Sequence, residues 1–142
     1  MRSLALALAL PVAALAVLVA SASAAGPVRA TLATSSTKPV VGAPWRYTIT
    51  VEVKGKPAAA KARLQILLGP TVVGCWKGAA MVQCQGATAG TWIPFRGRRT
   101  GVLTWPAQSA GVRLTFQAIV VAAGSTVRLR TPVTVQPAAA TG

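Results

Sequence analysis

From Pro44 the chain alternates by twos. Trp45, Tyr47, Ile49, Val51 and Val53 fall on one parity, and Arg46, Thr48, Thr50, Glu52 and Lys54 on the other. Successive side chains of an extended backbone point to opposite faces, so this run suits a half-buried β-strand. The following KGKP ends it, because glycine frees the backbone and Pro57 has no N–H to give to a ladder. The same grammar recurs along the chain. KARLQILL (61–68) stops at Gly69-Pro70, TGVLTW (100–105) stops at Pro106, and shorter strands are expected at 71–76 and 81–85. In residues 111–122, Val112, Leu114, Phe116, Ala118 and Val120 face in, against Arg113, Thr115 and Gln117. Residues 126–135 close the series with Arg128 and Arg130 outward, and Pro132 places that strand at an edge or a bulge.

With an early strand near residues 28–33 the count reaches seven or eight. No segment beyond the leader has a helical period. The expected class is all-β, an antiparallel immunoglobulin-like sandwich, with a closed barrel as the alternative. Trp45, Trp105 and Phe116 belong to its core, whereas Trp76 is compatible with either face.

The first residues read as a leader. Arg2 precedes an apolar run over residues 4–20, and Ala22-Ser23-Ala24 fits the small-x-small pattern of signal-peptide cleavage. The run contains Pro11 and falls short of the ~20 residues that suit a membrane-spanning helix. The expected organisation is a signal peptide over 1–24, a flexible entry segment over 25–36, a sandwich domain over 37–136 and a disordered tail over 137–142. Cleavage leaves 118 of the 142 residues, enough for one core. The product is expected in the secreted fraction or the cell envelope.

Charge narrows the partners. The chain has fifteen Lys and Arg against one acid, Glu52, and a net charge of +14; without Arg2 this becomes +13. Such a domain attracts anions, among them wall polymers, nucleic acids and acidic proteins. The same residue balance removes most catalysis. With no histidine, no aspartate and one glutamate, neither a Ser-His-Asp triad nor a pair of carboxylates can be assembled. An enzyme is not expected, nor a cofactor, nor a metal site.

Both cysteines lie in VVGCWKGAAMVQCQG. If Cys75 and Cys84 face each other across a hairpin, the turn centres between Ala79 and Ala80, and Gly78 pairs with Met81. Cys75 and Cys84 then occupy a non-hydrogen-bonded pair, with Cα atoms ~4.5–5.5 Å apart, within disulfide range. A metal site would need imidazole or further soft ligands. An exported chain with an even cysteine count favours a structural disulfide.

The candidate binding segment is TWIPFRGRR (91–99), where Arg96, Arg98 and Arg99 stand beside Trp92 and Phe95. Guanidinium groups clamp phosphate or carboxylate oxygens, and an exposed aromatic stacks on a base or sugar. The competing reading is a hairpin loop with Trp92 and Phe95 turned into the core and the arginines solvated.

The pieces TKPVVGAPWRYTITVEVKGKP, RLQILLGPTVVG, GTW and LTWPAQSAGVRLTFQAIVVAAGSTVRLRTPVTV resemble small secreted actinobacterial proteins with an immunoglobulin-like β-sandwich and no established activity. The likeness spans residues 37–135 and implies fold and export; Cys75, Cys84 and the RGRR run lie outside its pattern. A more distant likeness to periplasmic copper-handling sandwiches transfers no ligand, since those depend on His and Met clusters. The expected function is a non-catalytic interaction domain binding an anionic partner through Arg96, Arg98 and Arg99. The alternative is a structural accessory domain that docks through a sheet edge near residues 126–131. A third, minor option is a toxic or antimicrobial cationic protein.

Overall fold

A computed structural model describes residues 19–139. Among the described residues there are eleven strands: β1 (Val19–Ala25), β2 (Val28–Thr34), β3 (Pro44–Val53), β4 (Lys56–Pro57), β5 (Ala59–Leu68), β6 (Thr71–Lys77), β7 (Ala80–Gln83), β8 (Ile93–Arg96), β9 (Arg98–Thr104), β10 (Arg113–Ala122) and β11 (Ser125–Thr134). They form two antiparallel sheets. The first runs β1-β2-β3, with β4 and β9 side by side on the far edge of β3. The second runs β11-β10-β5-β6-β7, with β8 sharing the far edge of β5. Two facing sheets settle the architecture as sandwich-like rather than one closed barrel.

The alternation read from the sequence sets the facing surfaces. Trp45, Tyr47, Ile49 and Val51 of β3 are buried against Leu64 and Ile66 of β5 and Phe116, Ala118 and Val120 of β10. Phe116 is the hub of the aromatic cluster, with ring centroids 5.2 Å from Trp45, 5.0 Å from Tyr47 and 5.7 Å from Trp76. Trp76 therefore faces inward. β11 pairs with β10 alone among the strands, and Pro132 sits in it, as an outer strand allows.

The early strand expected near residues 28–33 is present as β2, bonded to β3 through seven pairs, so that part of residues 25–36 belongs to the sheet. Of the expected leader, residues 1–18 lie outside the described residues, and Val19–Ala25 pair with β2. Of the expected tail, residues 140–142 lie outside them. The segment 91–99, read as a hairpin loop, instead holds β8 and the start of β9, which belong to different sheets. The chain changes layers at Gly97, whose φ is 69°. Its N–H donates to the Ala58 carbonyl at 2.9 Å, and its own carbonyl accepts from Val51 at 2.7 Å. A Cβ at Gly97 would lie 2.9 Å from that of Pro57, so this crossing needs glycine.

After β2 the chain also changes layers. Residues 37–41 run beside the end of β11: Thr134 N–H donates to Thr37 O at 2.9 Å, Gln136 N–H to Pro39 O at 2.7 Å and Val41 N–H to Gln136 O at 3.0 Å. Val40 and Gln136 form a parallel bridge.

Candidate anion-binding face

Cross-strand partners share a face of a sheet, so register locates the cations carried by strands. Lys61 and Arg63 point outward from β5, Arg113 from β10, and Arg128 and Arg130 from β11. Arg96 of β8 pairs with Ala59 and joins them on the outer face of the second sheet. Lys77 of β6, of the same parity as Cys75 opposite the outward Gln65, joins them too, so seven cations share one face. The single carboxylate side chain of the protein, Glu52, belongs to the first sheet, opposite Arg29. No acid neutralises the second sheet's array.

The arginine run is dispersed by the same geometry. Arg96 is exposed on the second sheet, and Arg98, opposite Thr50, is exposed on the outer face of the first. Arg99 pairs with Ile49, which turns it toward the inner side, half-buried, with its Nε buried and unpartnered. Of the three, one lies on the cationic face. The two aromatics separate as well. Phe95 packs against the core, whereas Trp92 is half-buried beside β5. Lys61 Nζ lies 4.7 Å and Arg63 Cζ 4.3 Å from its ring centroid, within the range of cation–π attraction.

A chain of amides fixes this face from below. Gln65 and Gln117 are 0% and 2% exposed although both point outward. Arg130 Nε donates to Gln117 Oε1 at 2.6 Å, and Gln117 Nε2 donates to Gln65 Oε1 at 2.9 Å. Gln65 Nε2 donates in turn to the carbonyls of Ala87 and Ala89, at 3.0 and 2.8 Å. These carbonyls belong to residues 84–91, folded over the outer face. Gly90 of the same segment accepts from Arg63 Nε at 3.2 Å. Arg63 and Arg130 are therefore oriented by neutral acceptors and not by a counter-ion.

The disulfide anchors that covering segment. Cys75 and Cys84 are bonded, with Cα atoms 5.7 Å apart. Their register differs from the expected one: Cys75 pairs with Val82 and Lys77 with Ala80, while Cys84 N–H donates to Val73 O. The turn is the two-residue Gly78-Ala79, with Gly78 at φ 63°. A glycine with positive φ at the first central position suits a tight hairpin turn better than Ala-Ala, which shifts the pairing by two. The sulfurs still meet, diagonally, because Cys75 and Cys84 keep the same parity. Replacing both cysteines by serine is expected to remove about 2–3 kcal/mol of stability, read as a lower urea midpoint. A midpoint equal to the parent's would show that the staple contributes nothing.

Neither a protein-family model nor a curated protein nor a solved structure matches the chain.

Proposed function

We propose that the protein is a non-catalytic, secreted or cell-envelope interaction domain of immunoglobulin type that binds an anionic partner through the outer face of its second sheet. The observation that carries this reading is the gathering of Lys61, Arg63, Lys77, Arg96, Arg113, Arg128 and Arg130 on one face, with the only acidic side chain on the other sheet. The leader-like residues 1–24 and the disulfide support export. The absence of histidine and aspartate from the sequence supports a binding rather than a catalytic role. The site differs from the one read in the sequence: Arg96 is retained, and Arg98 and Arg99 give way to residues of β5, β10 and β11.

Electrostatic capture of this kind is screened within ~8–10 Å at physiological salt. Affinity for a fluorescent sulfated polysaccharide is expected to fall about 100-fold or more between 50 and 200 mM salt. Arg113→Gln with Arg128→Gln is expected to weaken binding, whereas Arg29→Gln with Arg98→Gln, on the first sheet, is expected to leave it near the parent value. Salt-insensitive binding would remove the reading. It would favour the alternative of a protein partner at the outer edge of β11, a contact that high salt spares.

A further inference from the structure

Resting on that reading, we infer that the natural ligand class is a linear polymer of repeated phosphates without bases, lying along β5 and β11. The cations form two columns. Lys61 and Arg63 rise from β5, Arg128 and Arg130 from β11, and the column of β10 between them holds Gln117, Ile119 and Val121. Arg63 and Arg128 flank Ile119 on either side in one rank. Ile119 is 5% exposed on an outer face, as expected when long basic side chains lay their aliphatic stems over it. Within a column the cations repeat at about 6.6–6.8 Å, and the columns stand about 9.5 Å apart, by the rise and spacing of strands. A lone small anion reaches one or two of these groups. A chain with regularly repeated charges reaches all of them.

Two observations choose among polyanions. The first concerns oxygen geometry. Arg63 and Arg130 are tied by Nε to neutral acceptors, which leaves their Nη ends to meet the ligand. A phosphate carries its charge on divergent tetrahedral oxygens that can accept from cations in neighbouring positions at once, whereas a side-chain carboxylate presents two coplanar oxygens.

The second concerns the aromatics. Binding of single-stranded nucleic acid relies on stacking of bases on free aromatic rings. All seven aromatic side chains are otherwise engaged. Trp45, Tyr47, Trp76, Trp105 and Phe116 are buried, Phe95 packs on the core, and Trp92 holds Lys61 and Arg63. The face offers charge to a backbone and no platform to a base.

The test is competition at low salt, at equal charge concentration, among long-chain inorganic polyphosphate, tripolyphosphate, a single-stranded DNA and polyglutamate. Polyphosphate is expected to bind about tenfold tighter or more than each of the others. Its log affinity should fall with log salt at a slope near −3, about −0.7 for each of four cations. Lys61→Gln with Arg128→Gln should halve that slope, and Arg29→Gln with Arg98→Gln should leave it unchanged, with circular dichroism confirming that both variants are folded. DNA binding as tightly as polyphosphate would overturn the exclusion of bases, and polyglutamate binding as tightly would overturn the phosphate assignment, each while sparing the anion-binding face. Equal affinity for tripolyphosphate would overturn the two-column geometry. Failure to bind any polyanion would remove the proposed function itself.

Discussion

Gly101→Ala is expected to cost about 3 kcal/mol or more, at the upper end of what overpacking does, or to prevent folding. Gly101 lies in β9 opposite Tyr47, and a Cβ built on it falls onto the Tyr47 phenol. The ring has little room to retreat. Tyr47 is 2% exposed, and its ring sits 5.0 Å from that of Phe116 and 6.4 Å from that of Trp76. Urea denaturation followed by tryptophan fluorescence reads the loss. A second variant separates this contact from a general intolerance of β9. Tyr47→Leu relieves the overlap, so Tyr47→Leu with Gly101→Ala should cost less than the sum of the two single changes. An alanine variant within about 1 kcal/mol of the parent would show that Tyr47 does not lie over this backbone in solution.

Phe116→Ala is expected to cost about 3–5 kcal/mol, the usual range for emptying a buried aromatic site. The side chain is 0% exposed. It stands on β10 of the second sheet, yet two of its three close aromatic neighbours, Trp45 and Tyr47, belong to β3 of the first. Truncation opens a cavity at the seam between layers and removes the edge-to-face contacts of Trp45 and Trp76, which add to area burial. Phe116→Leu keeps most of the volume and should lose clearly less. Equal losses from leucine and alanine would mean that ring geometry, not filled space, holds the seam. A loss under about 1 kcal/mol for alanine would mean that the hub is somewhere else.

Strand existence was legible in the sequence because alternation reports which face a residue takes. Residues 44–53 follow that rule closely, and residues 113–122 follow it until the outward Gln117 and Ile119, which are covered on the outer face. Partner register was less legible. The hairpin at Gly78 slipped by two from the expected pairing because turn choice, not the cysteines, sets the frame. Both pairings place Cys75 and Cys84 on one face, which is why the disulfide survived an incorrect register.

The short strand β8 was hidden in IPFR, four residues with a proline among them. The binding face was the least legible feature. Arg96, Arg98 and Arg99 are adjacent in the chain, but the crossing at Gly97 scatters them. Lys61, Arg63, Arg128 and Arg130 are far apart in the chain and gather only because β5 and β11 flank β10. The outward parity of Arg128 and Arg130 was readable; which strand would lie beside theirs was not.

Residues 37–41 act as a clasp on the end of β11, and Val40 and Gln136 are separated by 96 positions. A polypeptide made from its amino end cannot fasten that clasp until Gln136 has emerged. Closure therefore waits on the end of β11, and contacts of such range belong to the slow group of folders, on the order of milliseconds to seconds. Removing residues 133–142 would leave residues 37–41 with nothing to grip, and the two layers would part at that end.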